Sequence, residues 1–203
     1  IVEMVGGALA MNVVIDELRN LSFINFGEII SSHLEAVAFI RKYAEVKVPR
    51  RFKTVLTSCA GHPLDLTYYQ TVKGMVGPLD ILDKGGDLII VSSCIEGMGS
   101  EEFIAAQKRL VEMGPAGFLK AITQKQYADI DEWQTEMQLK PMKVGSIHLY
   151  SEGLSEKDWL ATGVNKVDNL RNCIEQSFVR HKQNKIAVIP EGPYVIPFLS
   201  NDA

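Results

Sequence analysis

Tyr69, Gln70 and Lys73 stand within one helical turn of each other in the run Tyr69-Gln70-Thr71-Val72-Lys73-Gly74. At about 100° per residue, Lys73 returns to the side occupied by Tyr69 and Gln70, four residues after one and three after the other. A cation, an amide and a phenol then point together. An ammonium and an amide N–H can hold a carboxylate by charge-assisted hydrogen bonds, and a phenol can wall the space beside it. Neither Gln70 nor Tyr69 is a base, so proton abstraction would fall to groups elsewhere. The same three residue types also suit an ordinary solvated helix face.

The elements around them say where this face would lie. Thr54-Val55-Leu56-Thr57 reads as a short buried strand, and Gly61 and Pro63 break its pattern. Asp65 is the expected N-cap of a helix over 66–76, whose apolar spacing runs through Tyr68, Val72, Met75 and Val76. A helix that begins just past a strand places its first turns at the edge of an α/β sheet where small ligands bind.

Taken in order, 11–16 and 21–26 read as a β-hairpin, and 27–45 as a long amphipathic helix ending before Pro49. Strands are expected at 54–57, 88–92, 146–150 and 186–189. Helices are expected near 66–76, 100–113, 130–139 and 167–182, with shorter ones near 116–123 and 156–161. This alternation predicts an α/β fold, a parallel or mixed sheet with helices on both faces in a Rossmann-like three-layer arrangement.

Other candidates carry less chemistry. Gly97-Met98-Gly99-Ser100 could cradle a phosphate at a helix start. However, Glu102 takes the third glycine position of such a motif and Glu101 adds charge of the wrong sign. A turn with Ser100 as N-cap is the better reading. The histidines His33, His62, His148 and His181 have no metal-ligand spacing. His62 sits in the strand-to-helix loop within reach of a ligand, and His33 reads as a packing or capping partner within its helix. Cys59, Cys94 and Cys173 fit buried neutral thiols in a reducing cytosol. No serine-nucleophile elbow is present. Trp133 on an amphipathic helix suits a core position.

The chain has 203 residues, 46% of them apolar, and a net charge of −4. That balance, without a long basic run, argues against nucleic acid. No apolar run approaches the roughly 20 residues of a membrane span, so no membrane partner is expected. The chain opens Ile1-Val2-Glu3 without an initiator Met, which points to a piece of a longer protein.

The stretch Ala60-Gly61-His62-Pro63-Leu64-Asp65, followed by Tyr69-Gln70-Thr71-Val72-Lys73-Gly74, resembles the signature of the carboxy-terminal half of the nickel-pincer-dependent lactate racemase family. That signature reads G-G-x-P-x-D and then Y-Q-x-x-K-G, and Ala60 replaces its first glycine. The segments 11–16, 32–36, 96–103 and 189–193 resemble the family in the same order. The resemblance implies that 1–47 are a hairpin and connecting helix from the preceding domain. It implies that 48–203 form the carboxy-terminal α/β domain, with 183–203 packing back toward the connector.

It further implies an isomerase that inverts a 2-hydroxy acid by hydride transfer to a nickel-pincer nucleotide. The catalytic residues on this chain would be Lys73 and Gln70, holding the substrate carboxylate or carbonyl oxygen, with Tyr69, Trp133 and His62 lining the substrate. The bases, nickel ligand and cofactor-tethering lysine would lie in the amino-terminal half, so this stretch alone would be inactive and would hold no metal. A cytoplasmic location is expected. Two alternatives stand beside this reading: a relative acting on another hydroxy acid, and a non-catalytic module binding a carboxylate or a protein partner.

Overall fold

Strand and helix alternate along most of the chain because apolar residues recur at spacings of two and then of three or four, and the fold follows that alternation. The structure is a computed structural model that describes residues 2–16 and 18–200. Two compact units divide the chain, Ile1–Val46 and Lys47–Ala203.

In the first unit, β1 (Leu9–Ile15) pairs antiparallel with β2 (Leu21–Glu28). Asp16 closes the turn by accepting from the backbone N–H groups of Leu18 and Asn20. The helix α1 (Ile29–Ala44) starts two residues later than the spacing predicts, because Gly27 and Glu28 still pair with Ala10 and Leu9. The Glu28 carboxylate caps α1 by accepting from Ile30 and Ser31 N–H at 3.0 and 2.8 Å. One face of the hairpin packs on α1: Phe23 stacks on Phe39 at 4.8 Å, and Asn12 donates to Asn25 and Ser32. The other face carries Leu9, Met11, Val13, Ile24 and Phe26 to solvent. His33 is exposed and is not the packing partner its mid-helix position suggested, since the turn that meets the hairpin is Ser32 and Ala36.

The second unit is entered through β3 (Glu45–Val48), whose Val48 carbonyl accepts from Ser200 N–H just past β9 (Ile196–Leu199). Its centre is a five-stranded sheet in the order β7-β6-β5-β4-β8. The strands are β4 (Phe52–Ser58), β5 (Leu82–Val91), β6 (Ser146–Tyr150), β7 (Asn165–Lys166) and β8 (Ile186–Ile189), and every pairing is parallel. Helices connect them: α2 (Tyr68–Val76), α3 (Glu101–Thr123), α4 (Glu132–Val144), α5 (Glu156–Thr162) and α6 (Leu170–His181). The helices expected at 100–113 and 116–123 are both present within α3, separated at Gly114, whose φ of 70° lies outside the helical region just before Pro115. None of these helices is long and apolar enough to cross a membrane.

The sheet's two faces differ in chemistry because alternate residues point to opposite sides. Val55, Leu88, Ile90, Ile147, Leu149 and Ile189 share one core with Tyr68, Val72 and Met75 of α2, Phe103 of α3 and Ala161 of α5. Fully burying a side chain such as Phe103 contributes about 2–3 kcal/mol. Several polar groups inside this layer pair with one another, although the buried Oε1 atoms of Gln107 and Gln134 and the Thr135 hydroxyl have no hydrogen-bond partner among the described residues. Tyr68 Oη lies 2.9 Å from Gln138 Oε1 and 3.0 Å from the Thr162 carbonyl, and Gln107 donates to the same Gln138 oxygen.

On the opposite face, α6 covers Thr54, Asp87 and His148. Thr54 and Ser177 share a 2.7 Å hydrogen bond. Asp87, only 1% exposed, accepts from Arg180 at 2.6 Å, His181 at 3.0 Å and His148 at 3.1 Å. Both histidines reach it through Nε2, so both carry the proton there. Burial alone would raise the Asp87 carboxyl. Hydrogen bonds from His148 and Ser177, with the charges of His148 and Arg180, outweigh burial and hold it well below the usual range.

A carboxyl lowered in the folded state stabilises the fold above its unfolded value of about 3.9, and that stability is lost as pH falls toward the folded value. Asp87→Asn is therefore expected to cost about 3 kcal/mol at neutral pH, at the low end for breaking a buried pair because Arg180 can turn to water. Urea unfolding of both proteins checks this. The gap between them should hold from neutrality down to about pH 4 and narrow below it. A gap that is absent at neutral pH, or that widens in acid, would contradict this account of Asp87.

Candidate functional site

Two loops that leave the carboxyl ends of strands, and a third that joins two helices, meet at one edge of the sheet. The loop after β4 carries His62 and leads into α2, the loop 92–100 follows β5 and leads into α3, and 124–131 lead into α4. The first two are zipped together. Cys94 N–H donates to the Asp65 carbonyl at 2.7 Å, Glu96 N–H to Leu66 at 2.8 Å, and the N–H groups of Tyr68 and Tyr69 to Gly97 and Met98 at 2.9 and 3.0 Å.

This pairing corrects the expected cap. Thr67, not Asp65, accepts from Gln70 N–H, and the Asp65 carboxylate instead receives Ser93 N–H at 3.2 Å. The carbonyls of Gly97 and Met98 occupy the opening N–H groups of α2. Its helix start is therefore not an open anion cradle, and any anion at this edge must be held by side chains. The Gly97–Ser100 turn is structural as read, with Ser100 Oγ accepting from Phe103 N–H at 3.2 Å. At Gly99, φ is +117° and a Cβ would lie 2.9 Å from Tyr69 Cβ, so a side chain there would push Tyr69 away.

Tyr69, Lys73 and Trp133 come together. Lys73 Nζ stands 5.6 Å from the centre of the Tyr69 ring, and Trp133 meets the same ring edge-on at 6.2 Å. Trp133 is 53% exposed, so it stands at the surface beside Tyr69 and is not the core residue that an amphipathic helix suggests. Lys73 is exposed, and among the described residues it forms no ion pair. Gln70 lies half-buried beside it on α2. His62 is exposed in the preceding loop, and among the described residues no hydrogen bond or ring contact joins it to the other four. Gly74 explains the end of the motif: a Cβ there would approach Ile90 Cδ1 at 3.1 Å and the Ser58 carbonyl at 3.2 Å, so α2 sits close on the sheet.

Asp131 is the residue that sequence reasoning missed. It adopts a left-handed φ of 59° immediately before α4 and accepts from Ser100 Oγ at 2.6 Å and, over a long 3.4 Å, from Tyr69 Oη. Burial, then the Asp131 charge and hydrogen bond, raise the Tyr69 phenol, which therefore stays a protonated donor. The next residue, Glu132, is 3% exposed and pairs with Arg109 at 2.5 Å and Lys125 at 2.7 Å. Burial would raise its carboxyl, but the hydrogen bonds from Lys125 and Arg109 prevail and lower it. Gln134 donates to the Tyr69 carbonyl at 2.6 Å. The start of α4 is thus fastened to α2 and α3 on either side of Trp133. An Asp-Glu-Trp-Gln run gives no periodic signal for such a clamp.

Cys59 and Cys94 are buried as read. Burial and then the Asp65 charge push the Cys59 thiol up to about 11, so it is no nucleophile at neutral pH. Among the described residues no three His, Cys, Asp or Glu side chains gather as a metal-binding set.

Residues 49–197 match the family described as the lactate racemase C-terminal domain. The chain is similar to the lactate racemases of Thermoanaerobacterium thermosaccharolyticum, at 26% identity, and Lactiplantibacillus plantarum, at 27%. Each match covers 93% of this chain and 44% or 45% of the relative. Its fold is similar to that of the T. thermosaccharolyticum lactate racemase apoprotein, with a TM-score of 0.82 and 25% identity over 94% of this chain and 46% of that one. A Thermotoga maritima protein shares the fold at a TM-score of 0.63 and 12% identity. The chain spans less than half the length of the curated relatives it matches. It belongs to the lactate racemase C-terminal domain family.

Proposed function

We propose that this domain orients the substrate of a 2-hydroxyacid racemase, with Lys73 holding the substrate carboxylate. The observation that carries the reading is an exposed ammonium without an ion-pair partner, set against Tyr69 and Trp133 on the ligand-binding edge of a parallel sheet. Lys73 supplies the charge. Gln70 donates its amide N–H to the same carboxylate or to the carbonyl oxygen that appears when the alcohol is oxidised. Tyr69 and Trp133 wall the substrate, and His62 reaches it from the loop. Holding the planar 2-oxo acid while its other face is presented is a positioning task, which a cation, an amide and two rings can perform without acting as bases.

In this reading hydride acceptance belongs to a nickel-pincer nucleotide held by an amino-terminal domain, consistent with relatives about twice as long as this chain. Exposed apolar residues on the two neighbouring loops, Ile95, Tyr127 and Ile130, support a second body closing over the edge and excluding water. The bare apolar face of the β1–β2 hairpin supports assigning 1–47 to that preceding domain. A cytoplasmic enzyme is the compartment this reading favours. Orientation of another hydroxy acid by the same residues is the second reading, favoured by the openness of Trp133, which leaves room for a larger side chain.

The test is chiral chromatography of single-enantiomer lactate, then malate and bulkier acids, after incubation with the cofactor-loaded full-length protein. Inversion of lactate is expected, and absence of inversion across the panel would overturn the reading. In the same assay Lys73→Ala should lower kcat/KM by at least about a hundredfold while the protein stays folded by circular dichroism. Unchanged turnover would remove Lys73 from the site. Asp131→Asn keeps the size of the clamp but removes its charge. It should lower kcat/KM by about tenfold and alter Trp133 fluorescence. An unaltered emission spectrum with full activity would show that Asp131 does not set the wall.

A further inference from the structure

The opposite end of the sheet carries a second concentration of charge. β4 and β8 are parallel neighbours, with Thr54 opposite Ile186, so the segments entering them lie side by side. Together they form a cleft with a volume of about 290 Å3. Arg50 and Arg51 line it from one segment, and Lys182, Gln183, Asn184 and Lys185 from the other. Four of its lining residues are cations and none is an acid.

Two further cations near this end have acidic partners. Lys53 pairs with Asp83 at 3.1 Å, and Arg180 is spent on Asp87. Among the described residues, Arg50, Arg51, Lys182 and Lys185 form no ion pair. The carbonyl end of α6 accounts for one of the four, because Lys182 caps that helix and cations are favoured there. It does not account for the other three. Arg51 gives only its Nε to the Asp80 carbonyl, at 3.2 Å, leaving the outer nitrogens of the fork available. Arg50 is oriented over the Phe52 ring, 5.2 Å from its centre. Four cations line one cleft with no acid among its lining residues, in a chain whose net charge is −4.

We propose that this cleft binds a small phosphate-bearing polyanion through a diphosphate group. Two guanidinium forks match the paired oxygens of phosphate, the lysines add point charges, and the amides of Gln183 and Asn184 add neutral donors. Four cations answer the charge of a diphosphate better than that of a lone carboxylate. The site lies at the amino ends of the strands, away from the Tyr69–Lys73 edge, and does not rest on the racemase reading.

Isothermal titration of the 203-residue chain with inorganic pyrophosphate, at about 50 mM and about 200 mM salt, tests it. Saturable binding with one site per chain is expected, weaker at the higher salt. The double variant Arg50→Gln/Lys185→Gln should bind about tenfold more weakly or worse while melting at the parent's temperature, and Lys73→Gln should bind as the parent does. Absence of binding, or binding that the double variant leaves intact, overturns the proposal. So does binding that Lys73→Gln abolishes, which would place the anion at the other edge. Retention of the chain on oligonucleotides or anionic vesicles without pyrophosphate binding also overturns it, in favour of a macromolecular partner.

Discussion

One carboxylate at the foot of α4 holds the working edge together. Asp131 bridges Ser100 and Tyr69, and so ties the starts of α3 and α2 to its own helix. Its strained left-handed backbone is tolerated because the next residue is pinned from two sides by Arg109 and Lys125. Without that anchoring, Trp133 would sit on a helix free to slide along the Tyr69 ring. With it, a half-exposed indole and an ammonium keep fixed places against one phenol. A site that orients a substrate depends on such rigidity more than on any single contact, because small displacements of positioning groups carry large losses in rate.

The sheet shows the same division of labour on a larger scale. One face is a nearly continuous apolar layer under four helices, and it supplies most of the burial that stabilises the unit. The other face, under α6, is organised around a buried acid with three basic partners. Such a network contributes little net stability compared with an apolar replacement. It does fix one register for α6, since only that placement brings Ser177 to Thr54 and Arg180 and His181 to Asp87. The polar face thereby specifies where the helix lies, and the apolar face supplies the energy that keeps it there.

Much of this was legible in the sequence. The strand–helix alternation predicted the three-layer sheet because both periods are sustained over long stretches. The Tyr69–Lys73 face could be placed at the carboxyl edge of the sheet because a helix following a strand must begin there. Capping was less legible. Asp65 and Thr67 are both good cap residues two positions apart, and only the carbonyls of Gly97 and Met98, about thirty residues on, decide between them. His33 was misread because helical spacing does not say which arc meets a hairpin. Asp131 was missed because its role depends on two partners far away in sequence, at 69 and 100. The pairing of Arg50 and Arg51 with Lys182 and Lys185 is likewise invisible until β4 and β8 are neighbours, so neither short run reads as basic alone.

The lengths of the edge strands have a further consequence. The five-stranded sheet ends in β7, two residues long, and β8, four residues long. Edges so brief offer few free backbone groups for another strand to pair with. This sheet is closed to extension, and a neighbour must approach it through loops and helix ends. The β1–β2 hairpin differs, since two strands have only outer edges and a pair this small is not stable by itself. Strand addition therefore has more exposed edge to use on the hairpin than on the five-stranded sheet.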